Sequence, residues 1–319
     1  MKAVLLGVAA SFFFACTFIL NRAMDLNGGS WMWSASLRYF FMVPFLVCIV
    51  LLRSNLRPML QEMRRNPGKW MLWSFSGFVL FYGPLTFAAS FGPGWLIASS
   101  WQVTIISGIL LTPFFYQTLP GGRRVRGKIP FRGMLMSLLI LLGIVLMQWK
   151  HAGTIGGKEA LACMLPIVLA SVAYPLGNRK MMEVCGGRLD TFQRVLGMTL
   201  CSLPFWLLLS GGAYVSVGLP SLEQTLQCLV VAISSGVIAT TLFFFATDLT
   251  KGDGRKLAAV EATQAGSVIF SLAGEVVFLH APWPDAISWL GLGLVVGGMV
   301  LHSYVSRRPL KINRAAAGK

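Results

Sequence analysis

The chain has 319 residues, of which 55% are hydrophobic and only 12% charged, and its mean hydropathy is +0.70. So few charges leave too little polar surface to hold water around a soluble domain, which excludes a water-soluble enzyme or binding module. The net charge of +16 invites nucleic acid as a partner, but the cations fall in alternate loops, so no nucleic acid is expected and the basicity records membrane topology.

Apolar runs of about 18 or more residues recur along the whole length, enough for a helix to cross a hydrocarbon layer about 30 Å thick. Ten helices are expected, over residues 3–21, 31–52, 70–90, 95–117, 131–149, 159–178, 191–210, 224–248, 257–279 and 284–305. The first begins directly after Lys2. No small-residue cleavage site follows Phe12-Phe13-Phe14, so it reads as a retained helix and not a secretory signal. Helices three and four are joined by the tight turn Phe91-Gly92-Pro93-Gly94. Trp31, Trp33, Trp70, Trp73, Trp95, Trp149, Trp283 and Trp289 lie near the expected helix ends, where indoles prefer the membrane interface.

Loop charge sets the orientation. One set of loops carries Arg53, Arg57, Arg64, Arg65 and Lys69, then Arg123, Arg124, Arg126, Lys128 and Arg132. It continues with Arg179, Lys180 and Arg188, and with Lys251, Arg255 and Lys256. The tail after the last helix adds Arg307, Arg308, Lys311, Arg314 and Lys319, whereas the intervening loops hold only Arg22, Lys150 and Lys158. Both termini are therefore expected in the cytoplasm of a bacterial-type plasma (inner) membrane. Cys16, Cys48, Cys163, Cys201 and Cys228 fall in or beside apolar segments and Cys185 in a cytoplasmic loop. Their spacing suggests neither a metal site nor a disulfide framework, and no cofactor is expected.

One polar punctuation occurs twice. Asn21-Arg22 closes an apolar segment and Arg38 sits early in the next; Asn178-Arg179 and Arg194 repeat the arrangement about half a chain later. Five crossings separate the copies, so they stand at opposite membrane faces. Gln102 in helix four corresponds to Gln264 in helix nine, each about two turns from the start of its helix, and Pro44 to Pro204. The expected architecture is all-α, with ten transmembrane helices in two inverted five-helix repeats, 1–150 and 151–306, followed by a basic cytoplasmic tail, 307–319.

Ten helices in two inverted halves, an early arginine in helices two and seven, and Gly274-Glu275 closing helix nine before a glycine-rich tenth helix resemble the drug/metabolite transporter superfamily. The resemblance spans essentially the whole chain and is greatest to the bacterial multidrug-resistance efflux branch. It implies a membrane transporter and no enzyme. The small multidrug-resistance relatives would predict a membrane-embedded glutamate in helix one, where this chain offers only Ser11, Thr17 and Asn21.

Helix nine carries the most chemistry. Glu261, Gln264, Ser271 and Glu275 share one helical face, with Ser267 close to the stripe. Such a stripe should face the bundle interior or a wet cavity, because lipid would penalise it. The matching face of helix four carries Ser99 and Gln102. At a rise of about 1.5 Å per residue, Glu261 lies near the inner boundary and Glu275 near the outer one. Glu261 reads either as a cation-attracting, proton-coupled carboxylate or as a first-turn glutamate reaching the interface; Glu275 reads as a coupling group or as a cap for nearby helices. Arg38 and Arg194 could hold an anionic group or anchor helix ends. Tyr82, Trp101, Thr104 and Tyr174, with Gln102, Gln264 and Ser267, furnish the midplane for an amphipathic organic solute.

Together these point to a secondary transporter that exports small organic molecules, cationic drugs included, by alternating access with protons as coupling ions. The rival is a metabolite carrier for amino acids or phosphorylated compounds, using Arg38 or Arg194. Gly293-x-x-x-Gly297 permits close helix approach, either in a homodimer or within one subunit.

Overall fold

The computed structural model describes residues 2–118, 124–126, 129, 131–249, 260 and 263–306. Glu261, the 251–256 cation cluster and the basic tail lie outside them. Within them, six helices are long and apolar enough to cross a membrane, and four further apolar helices are shorter, Gly94–Leu110, Ser137–Gly153, Ala265–Phe278 and Ala286–Leu301. Lipid-depth backbone must bond to itself, which is why the apolar sequence becomes helix.

In chain order, α1 (Lys2–Leu26) and α2 (Trp31–Arg53) lead to the short amphipathic α3 (Leu56–Arg65). Next come α4 (Pro67–Ala88), α5 (Gly94–Ser100) and α6 (Val103–Leu110). A hairpin pairs β1 (Tyr116–Thr118) with β2 (Arg124–Arg126), Gln117 opposite Val125. The rest is α7 (Phe131–Ile155), α8 (Gly157–Cys185), α9 (Thr191–Val217), α10 (Leu222–Val231, continuing to Asp248), α11 (Ala265–Phe278) and α12 (Ala286–Ser306).

Several expected boundaries move. Asn21-Arg22 and Asn178-Arg179 do not close their helices, which run on to Leu26 and Cys185. The expected helix over 95–117 breaks after Ser100, ends at Leu110 and gives way to the hairpin strand. Helix α3 was not expected at all: its ten residues are too few and too charged to span, and Asn55 caps it by accepting the Arg57 N–H at 2.9 Å. Trp70, in the first turn of α4, is wholly buried against Gly197, whereas Trp149 is 81% exposed.

Two helices carry π turns, Phe75–Val79 in α4 and Ala232–Ala239 in α10, each containing a Ser-Gly pair (Ser76-Gly77 and Ser235-Gly236). The two glycines are engaged reciprocally. A Cβ on Gly77 would meet Met198 Cε at 3.1 Å, and one on Gly236 would meet Met42 Sδ at 2.7 Å. Met42 and Met198 each lie one turn beyond an arginine of the repeated punctuation, Arg38 and Arg194. The α7–α12 pair is drawn together by Gly143, Gly291 and Gly298. Gly293 and Gly297 meet no described atom, so the expected motif is not what brings these helices together.

At the end of the bundle near α3, Glu62 receives Arg188 Nε at 2.7 Å and Nη2 at 2.9 Å, tying α3 to the turn that follows α8. The Arg188 guanidinium holds the Glu62 carboxyl below the usual carboxylate range. Because folding lowers that pKa, the pair adds stability above the unfolded carboxylate value and loses it as pH falls through the folded one. Glu62→Gln is therefore expected to lower the melting temperature by about 2 °C at pH 7, since the Arg188 side is exposed. The difference from wild type should close below about pH 4. A difference that persisted in acid would remove this ion pair as its cause.

Candidate functional site

A cavity of about 390 Å³ occupies the middle of the bundle, within the range of small-molecule sites. One wall is aromatic. Phe81 lies 4.6 Å from Tyr174 and 5.0 Å from Trp101, ring centre to ring centre, in tilted packing that fixes all three side chains. Tyr39 joins the wall from α2, stacked on the buried Trp206 at 4.6 Å. Phe14, Phe78 and Phe243 extend the apolar lining.

The polar lining is concentrated at helix irregularities. Gln102 lies in the break between α5 and α6, and Gln264 in the turn immediately before α11. The sequence placed both glutamines two turns into continuous helices; each lies instead where the helix is interrupted, because freed backbone groups are tolerated at membrane depth only along a protein-lined cavity. Gln102 Nε2 donates back to the Ala98 carbonyl at 3.0 Å, whereas Gln264 Nε2 has no partner among the described residues. Thr104 donates to the Ser171 carbonyl at 3.2 Å, and Ser267 to the Gln264 carbonyl at 2.7 Å.

Arg38 projects from α2 into the cavity wall and is only 6% exposed. Its guanidinium lies 3.9 Å from the centre of the Tyr82 ring, and Nη2 donates to Ser235 Oγ at 3.3 Å. Among the described residues Nε and Nη1 have no hydrogen-bond partner. Tyr82 in turn bonds the Asn21 amide at 3.3 Å, and Ser235 Oγ also accepts from Thr17. The α10 π turn places Ser235 here, since the extra residue per turn swings a side chain out of the regular helical stripe. Arg179, from α8, lines the cavity toward the end holding Thr112 and Met299, with Nη1 on the Gly108 carbonyl at 2.8 Å.

Of the residues singled out in the sequence, Gln102, Gln264, Tyr82, Trp101, Thr104, Tyr174, Ser267 and Arg38 come together around this space. Arg194 and Glu275 do not line it. Glu275, 1% exposed, reaches across to the first turn of α5, accepting the Gly94 N–H on Oε1 and the Trp95 N–H on Oε2. Gly94 also abuts the Phe18 carbonyl of α1, leaving no room for a side chain. Nearby, Arg22 binds Asp25 at 2.9 Å and the Ala89 carbonyl at 3.3 Å. Trp33 donates to the Gly218 carbonyl at 2.9 Å. This end of the bundle is thus laced shut. Sequence reasoning missed Phe81, the hub of the aromatic wall, and Ser235; the repeated Ser-Gly pair was the available signal.

Several comparisons bear on this arrangement. The profile of the family described as "EmrE: Putative multidrug resistance efflux transporter" matches residues 1–308. The chain is 56% identical over 316 residues to the "Uncharacterized protein YjlA" of Bacillus subtilis (strain 168), covering 98% of each chain. It is 50% identical over 266 residues to an "Uncharacterized 42.1 kDa protein in intracellular alkaline protease 3'region" of Shouchella clausii, covering 83% of this chain and 70% of that one. A solved structure at 16% identity superposes with a TM-score of 0.64, over 97% of this chain and 99% of that one, a likeness of fold alone.

Proposed function

Because the chain belongs to the EmrE multidrug resistance efflux transporter family, we propose that it exports small amphipathic organic molecules across a bacterial cell membrane as a secondary transporter. Cargo would bind in the central cavity. The observation that carries this reading is the cavity itself, bordered by helix breaks at Gln102 and Gln264 and closed at the Glu275 end.

Alternating access follows from the same asymmetry. With ten crossings and both termini cytoplasmic, the cavity reaches toward the cytoplasm while the laced end faces outward, an inward-facing state. Inverted repeats over 1–150 and 151–306 are supported by the paired π turns, the paired helix breaks and the reciprocal Gly77–Met198 and Gly236–Met42 approaches. Opening the other side would part α5 from α11 and close the Arg179 end. Proton coupling through Glu275 would then act on this seal and not by competition for cargo, because its carboxylate is committed to backbone N–H groups away from the cavity.

The test is flux into proteoliposomes of the full chain, using tetraphenylphosphonium, 2-naphthamide and naphthalene-2-sulfonate as tracers, with and without an imposed pH gradient. Saturable uptake of at least one amphiphile is expected. Phe81→Ala should cut it by about tenfold, because losing the hub of the wall lets Trp101 and Tyr174 relax out of position. Uptake no greater than in empty liposomes for all three tracers would reject the transporter reading.

A further inference from the structure

We infer that the cargo carries an oxyanion and that Arg38 is the residue that receives it. This rests on the transport reading above and assigns the charge of what is carried. Arg38 is a buried guanidinium, and among the described residues it has no acidic partner. Its Nη2 makes one long bond to a hydroxyl, while Nε and Nη1 have no acceptor among the described residues.

A buried guanidinium in this condition is costly, and a protein keeps one where a ligand completes it. The ligand that does so is a carboxylate or a phosphate, which matches the planar set of N–H donors. The surroundings agree. Among the described residues the two formal charges lining the cavity, Arg38 and Arg179, are both positive, and no carboxylate lines it. Glu275 is bonded elsewhere.

Aromatic walls can also attract cations, so that alternative must be weighed. The Tyr82 face beside Arg38 is already occupied by the guanidinium at 3.9 Å. Phe81, Trp101 and Tyr174 are packed against one another. Among the described residues an incoming cation would therefore meet an arginine and no compensating acid, whereas an anion with an apolar body satisfies both the arginine and the wall.

The test is equilibrium binding to the purified full chain in detergent, using probes that share one naphthalene body. These are 2-naphthoate, 2-naphthyl phosphate, the neutral 2-naphthamide and the cationic 2-naphthylmethylammonium. At least one oxyanion probe is expected to bind about tenfold or more tighter than the amide, with the ammonium weakest. Comparing the two oxyanions separates carboxylate from phosphate cargo. Arg38→Gln should bring the oxyanions to within about twofold of the amide, and Arg38→Lys should keep part of the preference.

Ammonium binding as tight as the oxyanions, failure of both oxyanions to bind, or a preference surviving in Arg38→Gln would each overturn the assignment. The wild-type charge series decides it even if an Arg38 variant does not fold. Oxyanion binding without flux would sink the transporter reading alone; flux of tetraphenylphosphonium without oxyanion binding would sink this one alone.

Discussion

Gly177→Ala is expected to be the most damaging glycine-to-alanine substitution among the described residues. Gly177 in α8 faces Gly77 in the π turn of α4. A Cβ there would lie 2.3 Å from the Gly77 nitrogen, 2.5 Å from its Cα and 2.8 Å from the Trp73 carbonyl. All three obstacles are backbone, so no side chain can swing aside and the two helices must part. Overpacking costs about 1–3 kcal/mol where side chains can adjust, and here the upper end or more is expected. The melting temperature of the detergent-purified protein should fall by about 6 °C or more.

The reciprocal change should be mild. A Cβ on Gly77 meets the flexible end of Met198 at 3.1 Å and backbone only at 3.4 Å. Gly211→Ala, with no described atom within 4 Å, should be neutral or slightly stabilising, since alanine restrains the unfolded helix more than glycine. If Gly177→Ala melted with Gly211→Ala, the close crossing of α4 and α8 would be wrong.

The second large effect concerns the laced end. Glu275→Ala removes the acceptor for two backbone N–H groups at a site that water does not reach. Leaving a buried donor without its acceptor costs about 1–3 kcal/mol. Because the Trp95 bond is long at 3.4 Å, the loss amounts to about one such bond and should shift the population toward an opened end by about ten- to a hundredfold. Cys163 is a native reporter, wholly buried and beside Gly92 in the turn that Glu275 helps hold. Its alkylation by a membrane-impermeant maleimide, followed by peptide mass spectrometry, should rise by at least about tenfold in Glu275→Ala. Glu275→Gln keeps one oxygen acceptor and should rise less. An unchanged rate in a folded Glu275→Ala protein would mean that this carboxylate does not hold the end shut.

How far the site was legible depends on the range of the interaction. Tyr82, Trp101, Thr104, Tyr174, Gln102 and Gln264 were found because polar and aromatic residues in apolar spans are few, and lipid penalises the polar ones unless they face inward. Phe81 could not be told from other phenylalanines, because its role comes from Trp101, in the break after α5, and Tyr174, on α8. Ser235 was hidden by the π turn, which takes it out of the 3.6-residue register on which a face is read. Glu275 shared a face with Gln264 and Ser267 on the helical wheel, but depth along the helix separates it from the cavity.

A helical membrane protein of a transporter family, the positions of its apolar segments and the doubled polar pattern are all readable along the chain, because hydropathy, loop charge and motif are sums over local residues. Which polar residues meet, that Gln102 and Gln264 stand at helix breaks, that one end is bonded shut, and that Arg38 is buried with donors unused among the described residues come from the fold alone. A buried charge is defined by what surrounds it, and the surroundings of Arg38 come from α1, α4 and α10. The duplicated arginines are alike on the chain; the fold sets Arg38 in the cavity wall and leaves Arg194 outside it.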